Sequence, residues 1–168
     1  MKKYLLIDGY NIIFAWPSLI KIANSSLEEA RDKLINILSD FSAFTAEEII
    51  LVFDAYKVNK GVETVIIYNK IKIVYTKERE TADSYIERVT RTMARRYKTR
   101  VATADKIESL IILGHGASPL SPEFLLKEIH SVKKQIGKIT EKKIKNNLLI
   151  DNLDKESADF LEKLRLNK

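Results

Sequence analysis

The chain has 168 residues, 45% of them hydrophobic and 31% charged, with no cysteine, a net charge of +6 and a pI near 9.3. That length suits one domain with a real core, and the lack of cysteine excludes disulfides and thiolate-held metals. The basic balance favours a polyanionic partner, and eleven Lys/Arg against five Asp/Glu between Asn69 and Lys106 concentrate the excess in one segment.

Tyr4 to Asp8 reads as a short buried strand. Asp8 ends its apolar run after four residues, too few for the roughly 7 to 15 of a signal peptide. No window reaches membrane-spanning length, so the expectation is a soluble, cytoplasmic protein with no membrane partner. Gly9-Tyr10-Asn11 reads as a loop, followed by an apolar stretch ending at Trp16-Pro17. Ser25 and Ser26, each three residues before a Glu, open a helix whose inward stripe is Leu27, Ala30, Leu34, Leu38 and Phe41.

Ile49 to Asp54 is a second buried strand. Val65–Tyr68 and Ile71–Tyr75, joined at Asn69-Lys70, form either a hairpin or a strand plus an insertion. Thr81 caps a predicted helix to Tyr97, with Ile86, Val89, Met93 and Tyr97 inward. Val101 to Thr103 is a further strand before Asp105, and Ile107 to Leu113 a short helix broken at Gly114-His115-Gly116. Ser121-Pro122-Glu123 starts a helix to about Ile136. After Gly137 the sequence turns Lys-rich, with Lys142, Lys143 and Lys145, and Asp154 is expected to cap a last helix. Residues 1–136 are therefore expected to form the main domain, and residues 137–168 a helical extension packed on it or serving as an arm.

Alternating strands and helices predict a three-layer α/β fold with a mainly parallel sheet. Such a sheet gathers ligands at the carboxyl ends of its strands, where Asp8, Asp54 and Asp105 would meet and Asp83, opening a helix, would join them. Taken singly, an aspartate at a strand end is more often a turn or helix cap. Together they repel one another unless a cation intervenes, and an oxygen-only donor set suits Mg²⁺ or Mn²⁺, the ions of phosphate chemistry. Asn11 adds an amide able to position a water or a phosphate oxygen.

Glu87 reads either as a fifth acid, one turn from Asp83, or as the ion-pair partner of Arg91. Arg88, Arg91 and Arg95 form a row that tracks a phosphate backbone or a solvated helix face. Tyr10, Trp16 and Tyr56 stack on bases or pack locally. His115 and His130 lack metal-ligand spacing, and no Walker-type loop or other signal for an organic cofactor is present. Covalent phosphoryl transfer through Asp8 is disfavoured, because position 10, where such a phosphatase wants a second acid, is Tyr.

Leu-Ile-Asp-Gly-Tyr-Asn (6–11), Ala-Trp-Pro (15–17), Glu-Glu-Ala-Arg (28–31), Val-Phe-Asp-Ala (52–55), Tyr-Thr-Lys-Glu-Arg-Glu-Thr-Ala-Asp (75–83) and Val-Ala-Thr-Ala-Asp (101–105) resemble, in order, the YacP-type NYN-domain family of bacterial endoribonucleases. The resemblance implies a PIN-like fold, Mg²⁺- or Mn²⁺-dependent hydrolysis of RNA, and action on messenger RNA at the ribosome. It places Asp8, Asn11, Asp83 and Asp105 on the family's acidic-site positions and Asp54 on an Asp shared with 5′-nucleases. Three positions depart from the pattern: Ala104 stands for Ser, Ser109 for Gln and Pro119 for Arg. The expected function is a metal-dependent endoribonuclease. The alternatives are a non-catalytic RNA- or ribosome-binding module of the same fold and a DNA 5′-nuclease, although the helix-hairpin-helix region of the latter is missing.

Overall fold

The computed structural model describes residues 1–55 and 62–166. They form strands β1 (Lys3–Asp8), β2 (Glu47–Phe53), β3 (Thr64–Tyr68), β4 (Ile71–Tyr75), β5 (Lys98–Ala102) and β6 (Ser118–Leu120). The helices are α1 (Gly9–Ala15), α2 (Pro17–Ala23), α3 (Leu27–Ser42), α4 (Ala82–Met93), α5 (Lys106–Gly114) and α6 (Pro122–Leu166). The sheet order is β3-β4-β2-β1-β5-β6, with every pairing parallel except the β3–β4 hairpin at one edge. This is the expected α/β architecture with a mainly parallel sheet.

The central strands β1 and β2 carry unbroken apolar runs because both their faces are covered, whereas β3 at the edge is exposed along its length. Leu6, Ile50, Val52, Val74 and Val101 pack with Ala82, Tyr85 and Ile86 of α4 and Ile112 of α5. Alternation sends Leu5, Ile7, Leu51 and Phe53 to the opposite face, where α3 lies against β2 and β4 and buries Ala30, Leu34 and Leu38. Of the predicted α3 stripe, Leu27 is exposed.

Several boundaries differ from the sequence reading. Gly9-Tyr10-Asn11 is the first turn of α1, capped by Asp8, rather than a loop. A side chain at position 9 would run into the Phe53 ring, so the glycine permits close approach of helix and strand. The Asn69-Lys70 junction is a true hairpin turn, with Asn69 at φ 53°, a conformation asparagine tolerates well. Helix α4 ends at Met93, four residues before Tyr97, and buries Tyr85, which the predicted stripe omitted.

The chain divides into two compact units, Met1–Ile129 and His130–Lys168. The second is wholly helical over its described residues, and α6 runs unbroken through Gly137 and Asp154, where a composition shift and a new cap had been expected. An interior glycine costs only about 1 kcal/mol relative to alanine, too little to interrupt a helix of this length. Among the described residues no helix is long and apolar enough to cross a membrane.

Candidate functional site

Chain connectivity places the site. From β1 the chain moves one way across the sheet, through β2 to β4; α4 then carries it back to β5, on the other side of β1. That reversal leaves a crevice outside the carboxyl ends of β1 and β5. Asp8 ends β1 on the face shared with Leu6 and α4, Asp83 lies in the first turn of α4, and Asp105 caps α5.

The carboxylates that converge there are Asp8, Asp83 and Glu108, each with one oxygen within 4.8 Å of the others. Asp8 is 7% exposed and Glu108 6%, whereas Asp83 is open to solvent. Asp8 Oδ1 accepts from the Asn11 N–H (3.2 Å), so the residue both caps α1 and faces the crevice. Glu108 accepts from the Thr103 hydroxyl through Oε2, while its buried Oε1 has no hydrogen-bond partner among the described residues.

Desolvation sets the electrostatics. Burial, reinforced by the neighbouring Asp83 carboxyl, pushes Asp8 up to about 8 against the helix-capping bond from Asn11. Burial likewise pushes Glu108 up to about 7, opposed by the Thr103 hydroxyl and reinforced by Asp83 and Asp105. Two buried acids that hold protons near neutrality, one with an orphaned oxygen, fit a divalent cation that would replace those protons. Their oxygen-only donors suit Mg²⁺ or Mn²⁺.

The other predicted acids are engaged in the backbone. Asp105 Oδ1 accepts from Ile107 N–H (2.8 Å) and Glu108 N–H (3.3 Å) as the α5 cap, and Asp105 is not one of the three converging acids. Asp54 lines the same cleft, but its Oδ1 accepts from the Ala82 N–H and so ties the end of β2 to the start of α4. Asn11 Oδ1 accepts from Ala104 N–H (2.8 Å), a link between α1 and the loop after β5 rather than a free amide oxygen.

A profile of the YacP-like NYN domain matches residues 5–166. The chain belongs to the YacP-like NYN domain family. It is 39% identical over 139 residues to the uncharacterized protein YacP of Bacillus subtilis (strain 168), covering 82% of this chain and 81% of that one. It also resembles two crystal structures of Rae1 (YacP) from Bacillus subtilis. A mutant form aligns with a TM-score of 0.70 and 35% identity over 83% of this chain and 81% of that chain. The other aligns with a TM-score of 0.67 and 34% identity over 96% and 94%.

Within this NYN domain the remaining predicted residues fall into different settings. Tyr10 sits edge-on to Phe53 (5.2 Å between ring centroids), and its hydroxyl accepts from Arg31 (2.9 Å), so the ring is held in place at the cleft. Trp16 is 1% exposed and donates its indole N–H to the Pro122 carbonyl (2.8 Å), a core role. Tyr56 lies outside the described residues. Glu87 pairs with Arg91 (3.1 Å), which decides between its two readings. Arg88 is held by Glu80 (3.0 Å) and Glu63 (3.6 Å) and lies over the Tyr85 ring. Arg95 is exposed, with no ion pair among the described residues.

Glu108 is the acid that the sequence reading passed over. Its signal was present: Asp105-Lys106-Ile107-Glu108 has capping-box spacing, which assigns the glutamate to the helix start. Burial beside Asp8 comes only from tertiary packing.

Proposed function

We propose that this NYN protein is a metal-dependent endoribonuclease, and that its substrate is messenger RNA on the translating ribosome, in the cytoplasm. The observation that carries the reading is the convergence of Asp8, Asp83 and Glu108 at the sheet's switch point, with two of the three buried. A net charge of +6 supports a polyanionic substrate, because acids alone would repel one. The choice of RNA, and of messenger RNA at the ribosome, rests on the family resemblance of the motifs. We assign residues 1–136 to the nuclease domain and the Lys-rich residues 137–168 to an extension.

Asp8, Asp83 and Glu108 would hold Mg²⁺ or Mn²⁺, with Asp54 and Asp105 fixing the surrounding backbone. A cation bound there supplies activation of water and neutralisation of charge at the scissile phosphate. Asp8 and Glu108 must each release a proton to receive it. Asn11 keeps α1 and the Ala104-Asp105 loop in register, so that the acids on the two elements stay aimed at one point.

The decisive test incubates translated messenger RNA and free RNA with wild type and Asp83→Asn, with and without Mn²⁺, and maps the ends. New ends should require both Mn²⁺ and Asp83, while RNA binding survives the substitution. Equal cleavage by wild type and Asp83→Asn would remove the acids from the chemistry. No cleavage by wild type on either substrate would leave only a binding module.

A further inference from the structure

The cleft at the acids has a chemically mixed lining. It measures about 540 Å³ and is lined by the acids Asp8, Asp54 and Asp83 together with Tyr10, Phe14, Ala15 and Ala104. Phe14 is the unusual member. It belongs to α1, whose Ile12 and Ile13 are fully buried, yet its own ring is 59% exposed. Scattered surface hydrophobics are ordinary, but this ring stands inside an acid-floored cleft, one helical turn after Tyr10.

The two aromatic rings differ in freedom. Tyr10 is braced by Phe53 and Arg31, whereas Phe14 takes part in no aromatic pair among the described residues. In the same cleft, Ala104 contributes only a methyl group, where a longer polar side chain would narrow the space and ask for a hydrogen bond. A cleft lined by both carboxylates and a flat, exposed apolar ring offers partners for the two parts of a nucleotide, a metal-bridged phosphate and a base.

We propose that Phe14 is a base-stacking platform, and that with Tyr10 and Ala104 it forms a nucleobase subsite for the nucleotide adjoining the scissile phosphate. The subsite rests on the nuclease reading for the position of that phosphate, though not for the stacking itself. Phe14 is a binding residue, which holds an unpaired base of any identity through its ring face. A base still paired in a duplex cannot use this platform, so the subsite selects single-stranded substrate.

The test uses the full-length protein and a short single-stranded oligoribonucleotide carrying 2-aminopurine. Binding is measured by anisotropy and by quenching of the fluorescent base, and cleavage is followed separately in Mn²⁺. Phe14→Leu keeps the bulk but loses the π-face; it should weaken binding roughly tenfold and relieve the quenching, whereas Phe14→Trp should retain both. Replacing the stacked base with an abasic site should cost wild type a similar factor and cost Phe14→Leu nothing further. Thermal unfolding should be alike in the three proteins, because Phe14 buries little surface. The subsite is overturned if Phe14→Leu binds and quenches like wild type, if the abasic penalty is equal in both, or if wild type binds no single-stranded RNA. Ring-dependent quenching without cleavage in any sample would sustain the subsite and sink the nuclease reading alone.

Discussion

Two groups of charged side chains flank the same sheet, and they are built on opposite plans. Towards the amino ends of the strands, Arg100 of β5 lies between Glu47 of β2 (2.6 Å) and Glu128 of α6 (2.8 Å). Its guanidinium donates two hydrogen bonds to each carboxylate, and these bonds hold its pKa above the ordinary arginine value. At the carboxyl ends, Asp8, Asp83 and Glu108 converge with no basic partner among the described residues, where one buried oxygen of Glu108 also accepts nothing. A charged cluster that only holds a fold together completes its own pairing. One kept incomplete loses stability in the free protein and gains a place for something that is not protein.

The largest expected effect separates the structural reading of the acids from the sequence reading. Glu108→Gln should lower metal-dependent cleavage on the order of 10³-fold, comparable to the loss of one group aimed at developing charge in other enzymes. Asp105→Asn should cost far less, about tenfold or under, because asparagine still caps α5 through its side-chain oxygen. Single-turnover cleavage and Mn²⁺ titration of the two variants check this. The reverse ranking would restore Asp105 to the centre and reduce Glu108 to a helix-start residue.

Stability should sort the two clusters in opposite directions. Arg100→Met leaves Glu47 and Glu128 facing each other half-buried and should cost about 3 kcal/mol without touching metal affinity. Asp8→Asn removes a buried acid that gains nothing from ionising, so at pH 8 without metal it should stabilise the fold by about 1–2 kcal/mol while ending cleavage. The pH dependence follows. Asp8 goes from 3.8 to about 8 on folding and Glu108 from 4.5 to about 7, so between pH 4 and 8 the folded chain holds protons that the unfolded chain has released. Their contribution is complete below about pH 4 and disappears as the pH rises through 7 to 8. Denaturant melts of wild type minus Asp8→Asn across that range should show the decline. Mn²⁺ at about 100 times its Kd should offset it by about 2.7 kcal/mol, most effectively at the alkaline end, where the acids are already ionised. A difference that stays flat with pH would mean that Asp8 is as well solvated folded as unfolded.

Much of the frame was legible because its signals are local. Apolar runs ending in acids gave β1 and β2, and Ser26 and Thr81 marked two helix starts through side-chain bonds that the structure contains. The misreadings share one cause: the deciding interaction is distant in sequence. Asp-Gly-Tyr-Asn looks like a turn until Phe53 is known to press against Gly9, leaving room for a helix to begin at once. The two readings left open for Trp16, stacking or local packing, are likewise decided at a distance, in favour of packing, by the Pro122 carbonyl that accepts its indole N–H. Strand β6 is too short to carry a pattern of its own and is defined by pairing with β5. Glu108 and Asp105 differ by one helical turn, and only the packing of α5 shows which of them reaches Asp8.

The smallest expected effect bears on the basic side of the comparison. Arg88, Arg91 and Arg95 read from sequence as one row, yet Arg88 is already paired with the largely buried Glu80 and with Glu63, and Arg91 with Glu87. An exposed pair such as Arg91–Glu87 is worth under about 1 kcal/mol, and an arginine that must leave a carboxylate to meet a phosphate gains little net charge contact. Arg95 has no such competitor among the described residues. Its replacement by Ala should therefore reduce the slope of log Kd against log salt for single-stranded RNA by about 0.7, the value for one phosphate. Arg91→Ala should change the slope by less than half of that, since Glu87 is freed as the arginine is lost. Anisotropy titrations from low to moderate salt can separate the two. Equal slopes for both variants would mean that the surface pairs open freely on binding, and the row would then act as a single basic track.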